Sequence, residues 1–275
     1  MKIILSRKGF DSSNGGIPSP ILPDKSLLSL PIPYKKKGVE FSRVNFRGKD
    51  LLSIIFELRS KSKKPIKYEN CHLDPDINDK IVSEGNSCKG LFGQSGAAQK
   101  HLDNQGVEEG DIFLFYGWFK QTEEIEGKIR YVPRAADKHV IFGYLQIGGK
   151  RCAKKDKKKG GFPEEMQCHP HAEYYLEEEG KNCIYQAKEK LSFDENIKGY
   201  GVFNYDDSLV LTKDNYSRSR WELPDFFKEV NISYHSKKSF KKEYFESAKI
   251  GQEFVIQCNE EIENWVRDLI LKNIK

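Results

Sequence analysis

The spacing of apolar residues changes along the chain and places the regular elements. Apolar positions at intervals of three and four predict amphipathic helices over 49–60, 96–104 and 260–272. Runs rich in β-branched and aromatic residues predict strands over 2–6, 111–119, 139–147, 182–187, 199–203 and 209–212. The two longest runs, 111–119 and 139–147, flank a charged stretch, so we expect them to pair in one sheet.

The order of these elements favours a mixed α+β fold. The sequence shows no internal repeat and no strand–helix alternation of regular period, so we predict a largely antiparallel or barrel-like sheet with peripheral helices. We interpret the 275 residues as a single domain, 1–275, with a sheet core around 105–190. The Gly-, Ser- and Pro-rich segment 7–33 is predicted to be an ordered loop or a flap.

Composition narrows the class of protein. Hydrophobic residues make up 37% and mean hydropathy is −0.68, and no stretch approaches the roughly 18 apolar residues of a membrane span, which excludes a transmembrane protein. The first apolar run has three residues, whereas a signal peptide needs about 7–15, so we expect a cytoplasmic protein. The six cysteines contain no CxxC pair, so we expect reduced thiols and no zinc ribbon.

Charge is concentrated rather than large. The 46 basic and 41 acidic residues leave a net charge of +5, which does not by itself indicate nucleic-acid binding. Lysines cluster at 35–37, 61–67 and 154–159. Such runs are typical of solvated loops, and the alternative is contact with phosphate.

A cationic glycine-rich loop follows the first predicted strand. Arg7 and Lys8 precede Asp11, Gly15 and Gly16 among several small hydroxyl residues. Fixed positive charge beside flexible backbone N–H groups suits an anion or a phosphate, although the loop matches no known nucleotide motif. We interpret these five residues as substrate-binding, and the alternative is an ordinary turn-rich loop.

A histidine and two aspartates alternate further along. His72, Asp74 and Asp76 would point to one side of an extended segment, where they could bind a divalent ion or position a water. Two neighbouring carboxylates are expected to raise the pKa of His72 and to suit it to acid–base catalysis. The alternative is an Asp-Pro turn with a capping role.

Two further motifs add amides and imidazoles. Gln94 and Gln99 flank small residues at the start of a predicted helix and could read a base edge, although Gln99 and His101 cannot share one helix face. His169 and His171 flank Pro170, which predicts an extended segment with both rings on one side. With Cys168 adjacent, a metal site is conceivable if Cys71, His72 or Asp74 supplies a fourth ligand. No second closely spaced ligand pair exists, so we expect no bound metal and assign both histidines to catalysis.

The C-terminal third carries a last cationic pair. Arg218 and Arg220 could reach a phosphate. Trp221 and the apolar residues that follow it, at 223–227, are most simply core packing.

Taken together, these segments resemble a known family, nucleotide modification associated domain 3. The matching stretches run in order from residue 6 to residue 255: SRKGFDSSNGGIPSPI, LLSLPIP, CHLDPDI, FGQSGAAQKHL with NQGV, GDIFLFYGWF, HVIFGYLQIG, CHPH with NCIYQA, SRSRWELPDFF and GQEFV. Departures are concentrated in the lysine-rich loops around 61–67 and 150–160. The resemblance implies association with systems that modify nucleotides or DNA bases, in a setting such as bacterial or phage defence. It also implies a shared site built from the Arg7, His72, Gln94 and His169 segments, and it specifies neither a reaction nor a cofactor.

Two functions remain open at this point. The first is an enzyme acting on a nucleotide or DNA base, such as a transferase or a glycosidic-bond enzyme, in which Arg7 and Lys8 hold phosphate and Asp74 or Asp76 acts as base. The second is a reader of modified nucleic acid, because the 111–119 and 139–147 strands resemble those of small PUA and EVE barrels. In a reader, Tyr116, Trp118 and Tyr144 would stack on an extruded base. Either way the expected partner is a nucleotide or DNA, and not a membrane.

Overall fold

The computed structural model describes residues 1–35, 38–59, 68–83, 88–153, 161–173, 181–248 and 253–274. The lysine runs at 61–67 and 154–159, and the residues at 36–37, lie outside these ranges. The possible phosphate contacts of those lysines therefore stay predictions.

The described residues contain four α-helices, and all but the third begin within two residues of where the apolar spacing predicts them. They are α1 (Leu51–Leu58), α2 (Gly96–Asn104), α3 (Pro170–Glu173) and α4 (Glu260–Asn273). Asp50 caps α1 by accepting a hydrogen bond from the Ser53 backbone N–H, and Asn259 caps α4 in the same way through Ile262. The predicted helices at 49–60, 96–104 and 260–272 are confirmed, with α1 shorter at both ends.

Strands make up most of the regular structure. In chain order they are β1 (Lys2–Arg7), β2 (Ser19–Ile21), β3 (Ile32–Tyr34), β4 (Val39–Glu40), β5 (Val44–Phe46), β6 (Lys49–Asp50), β7 (Asn70–His72), β8 (Ile81–Ser83), β9 (Leu91–Ser95), β10 (Ile112–Ile125), β11 (Lys128–Tyr131), β12 (Lys138–Cys152), β13 (Asn182–Ala187), β14 (Lys190–Leu191), β15 (Asp194–Lys198), β16 (Tyr200–Val202), β17 (Arg220–Trp221), β18 (Phe245–Glu246) and β19 (Glu253–Gln257). The strand predicted over 209–212 is wrong, because a 3-10 helix spans Asp207–Leu209 and the residues after it form only isolated bridges.

The principal sheet has the path β19-β1-β10-β12-β13-β9, with β2, β11 and β16 attached to its longer strands. Strand β10 pairs with β12 in antiparallel register, as predicted, and β1 runs parallel to β10. Smaller sheets are formed by β3-β7-β4 and by β6-β5-β8. The mixed α+β, largely antiparallel architecture is confirmed, and no sheet of the described ranges closes into a barrel.

The core lies against the central strands. Strand β10 contributes consecutive buried residues from Ile112 to Tyr116 because both of its faces are covered, and α4 packs its apolar stripe into the same cluster. Tyr116 and Tyr144 are among the fully buried side chains. The expectation that they stack on a base is therefore wrong, since neither ring is accessible.

The N-terminal glycine-rich segment is an ordered loop rather than a flap. Phe10, Leu22, Leu28 and Leu30 are buried in a second apolar cluster, together with the buried face of α1. Burial of four large side chains holds the segment against the protein. This fixes the residues that follow β1 in position.

The expectation of six reduced thiols is wrong. Cys88 is bonded to Cys168 and Cys152 to Cys183, while Cys71 and Cys258 are free. Cys152 and Cys183 face each other in the β12–β13 register.

No helix among the described residues is long and apolar enough to cross a membrane.

Candidate functional site

Two cavities open side by side where β1 ends. The first, here the histidine cavity, has a volume of about 190 Å³ and is lined by Arg7, Lys8, Gly9, Asp11, Asn14, Ile32, His72, Asp74, Gly93, Gln94, Ser95 and His171. The second, here the arginine cavity, has a volume of about 410 Å³ and is lined by Arg7, Phe10, Asp11, Ser12, Ser13, Trp118, His139, Ser217, Arg218, Ser219, Ser247 and Ala248. Arg7 and Asp11 line both, so the two cavities are adjacent.

The histidine cavity draws its side chains from distant segments. Arg7 is the last residue of β1, His72 the last of β7, Gln94 lies near the end of β9, and His171 lies in α3. The structure thus brings together the Arg7, His72 and Gln94 segments with that of His169 and His171. That this group carries the function stays a prediction.

Asp74 sits at the centre of the cluster, and its two carboxylate oxygens have different partners. Oδ1 accepts from the Gly93 backbone N–H at 3.0 Å and lies 3.2 Å from His169 Nε2. His169 Nδ1 accepts from the His171 backbone N–H, so its proton is on Nε2 and is donated to Asp74. Oδ2 lies 3.7 Å from His171 Nε2. His169 is fully buried behind Asp74 and does not line the cavity.

The tautomer of His171 is set by Asn182. The Asn182 Nδ2 donates to the His171 carbonyl at 2.7 Å, which orients the amide so that its Oδ1 faces His171 Nδ1, also at 2.7 Å. His171 Nδ1 therefore carries the proton, and Nε2 presents its lone pair towards Asp74 Oδ2. The extended segment predicted from Pro170 is wrong, because Pro170 begins the short helix α3.

Burial dominates the protonation of the two histidines that line the cavity. It lowers the pKa of His72 to about 3 and that of His171 to about 4, although the Asp74 carboxylate acts in the opposite direction. The expected rise in the pKa of His72 is therefore wrong. For Asp74, burial raises the pKa, but the hydrogen bond from His169 and the nearby imidazoles hold it well below its usual range.

Gly93 is required by the close approach of two rings. A Cβ at this position would lie 2.2 Å from Cδ2 of His171 and 2.8 Å from Cε1 of His169. No side chain fits there, and the Gly93 N–H is at the same time a donor to Asp74. The sequence shows a Gly-Gln pair at this point, but the ring contacts that demand the glycine come from a segment almost 80 residues away.

Glu253 is a site residue that the sequence motifs do not identify. Its Oε1 accepts from Lys8 Nζ at 2.8 Å and from Gln94 Nε2 at 2.6 Å. Its Oε2 is buried and has no hydrogen-bond partner within the described ranges. In the sequence Glu253 is one acid within the run Gly-Gln-Glu-Phe-Val, and its burial is visible only in the structure.

Asp76 and Gln99 do not line either cavity. Strand β7 ends at His72, so simple alternation does not continue, and the Asp76 carboxylate instead pairs with Lys89 Nζ at 2.6 Å. Gln99 is fully buried and its amide bonds to Tyr185 Oη and to Asp103. The prediction that Gln99 reads a base is wrong. Asp76 does not reach the cavity, because its carboxylate is held by Lys89.

Of the three predicted substrate-binding residues at 11, 15 and 16 in the loop after β1, only Asp11 lines the cavities. Asp11 accepts from the backbone N–H groups of Ser13 and Asn14 and so organises the turn that borders both cavities. Gly15 is needed for packing, since a Cβ there would overlap the Phe10 ring. Neither Gly15 nor Gly16 lines the cavities, so their predicted substrate contacts are not supported.

Two arginines face the arginine cavity without a carboxylate partner. Among the described residues, neither Arg7 nor Arg218 has an acidic oxygen within 4.0 Å. The Arg218 guanidinium lies 4.0 Å from the Trp118 ring centroid and bonds to Ser12 Oγ. Its pKa is lowered, mainly by burial and also by Arg7, although the carboxylates of Asp137 and Asp11 act in the opposite direction. Arg220, by contrast, is exposed and stacks on Tyr216 and Tyr244.

His139 forms the floor of the arginine cavity. Its Nδ1 accepts from Trp221 Nε1 at 3.1 Å, so its proton is on Nε2. Burial, with the charges of Arg218 and Arg7, lowers its pKa to about 3. The sequence alone did not identify His139 or Trp118 as neighbours of Arg218, because strand pairing and a loop about 80 residues away bring them together.

Comparison with known proteins gives one match. The model of the family described as nucleotide modification associated domain 3 matches residues 2–257, most of the chain. No curated protein and no solved structure matches.

Proposed function

The chain belongs to the nucleotide modification associated domain 3 family, which connects it with nucleotide modification, and on that premise we propose that it is an enzyme acting on a nucleotide or on a base in DNA. The proposal divides the work between the two cavities. The arginine cavity binds the phosphate and the sugar or base beside it, and the histidine cavity receives the group that reacts.

The observation that carries the proposal is a pair of arginines that form no close ion pair with any carboxylate of the described residues. Arg7 and Arg218 line one cavity with five serines, at 12, 13, 217, 219 and 247. Two guanidinium groups that repel each other are stabilised by an anion between them, and hydroxyl groups complete its hydrogen bonds. A volume of about 410 Å³ falls in the range of small-molecule sites, about 300–1,000 Å³. Trp118, held by Asp137 at 2.8 Å, offers a surface for stacking.

The adjacent histidine cavity supplies the candidate catalytic groups. His72, Asp74 and His171 point at one space that is continuous with Arg7. A substrate whose phosphate lies on Arg7 can therefore present another of its atoms to these three side chains. Lys8 is neutralised by Glu253, so Arg7 is the cation better placed to hold a phosphate.

Binding of deoxynucleoside monophosphates and of short single-stranded DNA tests the first half of the proposal. Calorimetric titration of Arg7→Ala and Arg218→Ala should show a loss of affinity of 10-fold or more for the phosphorylated ligands. Arg220→Ala is the matched control, because Arg220 lies two positions after Arg218 in the sequence, is exposed and does not line the cavity. An equal loss in all three variants would show that the effect is general charge rather than a site.

Product analysis tests the second half. Mass spectrometry of nucleotide pools and of DNA digests after incubation with the protein should show a product that Asp74→Asn does not form. Nucleic-acid binding without any product, in cells as well as with purified components, would instead support the reader function. The reader would then depend on Trp118 alone among the three aromatic residues first considered.

A further inference from the structure

We propose that His72, Asp74 and His171 bind one divalent transition-metal ion in the histidine cavity. The ligand atoms of these three residues lie within 4.8 Å of one another. A metal held tetrahedrally at about 2.0–2.2 Å from nitrogen and oxygen ligands separates those ligands by about 3.3–3.6 Å, and Asp74 Oδ2 and His171 Nε2 are already 3.7 Å apart. Small side-chain rotations bring all three into coordination distance.

The hydrogen bonds around the cluster orient the ligand atoms inwards. The proton of His171 is on Nδ1, where Asn182 Oδ1 accepts it, so the Nε2 lone pair faces the Asp74 carboxylate. Asp74 Oδ1 accepts from Gly93 and His169, which directs Oδ2 at His171. A lone pair and a carboxylate oxygen that face each other repel, and a cation between them removes the repulsion. Histidine ligands held by an outer hydrogen bond in this way are characteristic of metal sites.

The remaining charges permit a cation here. Lys8 is a cation whose charge acts on both imidazoles, and that charge is balanced by Glu253 at 2.8 Å. The second oxygen of Glu253 is buried without a hydrogen-bond partner in the described part of the chain.

The ligand set indicates the class of ion. Two imidazoles and one carboxylate are borderline ligands that suit Zn²⁺, Fe²⁺ or Mn²⁺ better than Mg²⁺ or Ca²⁺. Three protein ligands beside a cavity leave coordination positions open for water or substrate, as in catalytic rather than structural sites. The ligands come from two segments about 100 residues apart, which is why the absence of a second closely spaced pair led to the opposite expectation from the sequence. The inference goes beyond the proposed function, because it is argued from the ligand geometry alone.

Cobalt is the probe for the test. Tag-free full-length chain, stripped with a chelator and dialysed, is titrated with Co²⁺, and the visible absorption of the bound ion reports stoichiometry and coordination. We expect one Co²⁺ per chain. Asp74→Asn and His171→Gln should each weaken binding at least 10-fold, and Asn182→Leu, which leaves every ligand in place, should weaken it about 10- to 100-fold. His101→Gln is the control, because His101 is a half-buried histidine outside the cluster that contacts Ser233.

Several outcomes would overturn the site. Binding well below one equivalent, or equal binding by wild type and by Asp74→Asn and His171→Gln chains that melt within a few degrees of wild type, excludes it. A thiolate-to-cobalt absorption band would place the ion on a free cysteine, Cys71 or Cys258, instead. Nucleotide affinity of the metal-free chain is measured in parallel, since that affinity depends on Arg7 and Arg218. If the chain binds nucleotides but no cobalt, only the proposed metal site is contradicted. If it binds cobalt but no nucleotides, only the proposed phosphate site is contradicted.

Discussion

Glu253 Oε1 accepts a hydrogen bond of 2.8 Å from Lys8 Nζ, although the two residues are 245 positions apart. The pair joins the end of β1 to the first residue of the edge strand β19, and both side chains are almost completely buried. Lys8 also lies 4.6 Å from the centroid of the Phe92 ring. The contact therefore holds the wall of the histidine cavity together.

Glu253→Gln should destabilise the protein by about 3 kcal/mol, because it leaves the buried Lys8 ammonium without its counter-charge. Chemical denaturation measures the change in the free energy of unfolding. Glu246→Gln, which alters the exposed pair with Lys241, is the matched control and should cost less than about 1 kcal/mol. Equal losses in the two variants would contradict the structural role of the pair.

Gly93→Ala should cost about 3 kcal/mol, because its Cβ would overlap the His171 ring and force either β9 or α3 to move. Gly149→Ala is the control, since a Cβ at Gly149 in β12 meets nothing within 4 Å. We expect the control to change the free energy of unfolding by less than about 1 kcal/mol. A tolerated Gly93→Ala, measured by thermal melting of both variants, would show that the two histidines do not pack against β9.

Gln99→Leu should change stability, whereas Gln94→Leu should change nucleotide binding. Gln99 bonds to Tyr185 and Asp103 in the interior, so its loss should lower stability by about 1–3 kcal/mol and leave nucleotide affinity unchanged. Gln94 lines the histidine cavity and bonds to Glu253, so its substitution should alter binding. A loss of nucleotide affinity in a folded Gln99→Leu chain would restore Gln99 as a ligand contact.

His139 should make stability depend on pH. Its pKa is about 3 in the folded protein and about 6.5 in the unfolded chain, so between these values the unfolded chain binds a proton that the folded protein does not. The free energy of unfolding therefore falls as pH decreases below about 6.5. The loss of stability caused by His139 reaches about 2 kcal/mol at pH 5.

The difference in unfolding free energy between wild type and His139→Gln, followed from pH 8 to pH 5, isolates this contribution. Glutamine keeps an acceptor for Trp221 and does not titrate. We expect the wild type to lose stability relative to the variant as pH falls. A constant difference would mean that His139 is not buried as a neutral ring.

The chain shows which local features can be deduced from sequence. Helix α2 and strand β13 have the bounds that apolar spacing predicts, because side-chain period is a property of neighbouring residues. The prediction of a strand over 209–212 is wrong because strand formation depends on partners elsewhere, and here Val140 and Trp221 form only isolated bridges with the segment. The predicted rise in the pKa of His72 is wrong for a related reason. The nearby Asp74 is visible in the sequence, but the burial that outweighs its effect is not.

The sequence by itself determined most of the helices and strands, the α+β class, the family and the four segments that meet at the candidate site. Only the tertiary structure decided which side chains face the cavities: it placed Glu253 on Lys8 and His171 on Asp74, and it buried Gln99, Tyr116 and Tyr144. The reason is physical. Periodicity is encoded within a few residues, whereas contacts across some 100 to 250 positions depend on strand register and on how the buried faces pack, to which each segment contributes only a part.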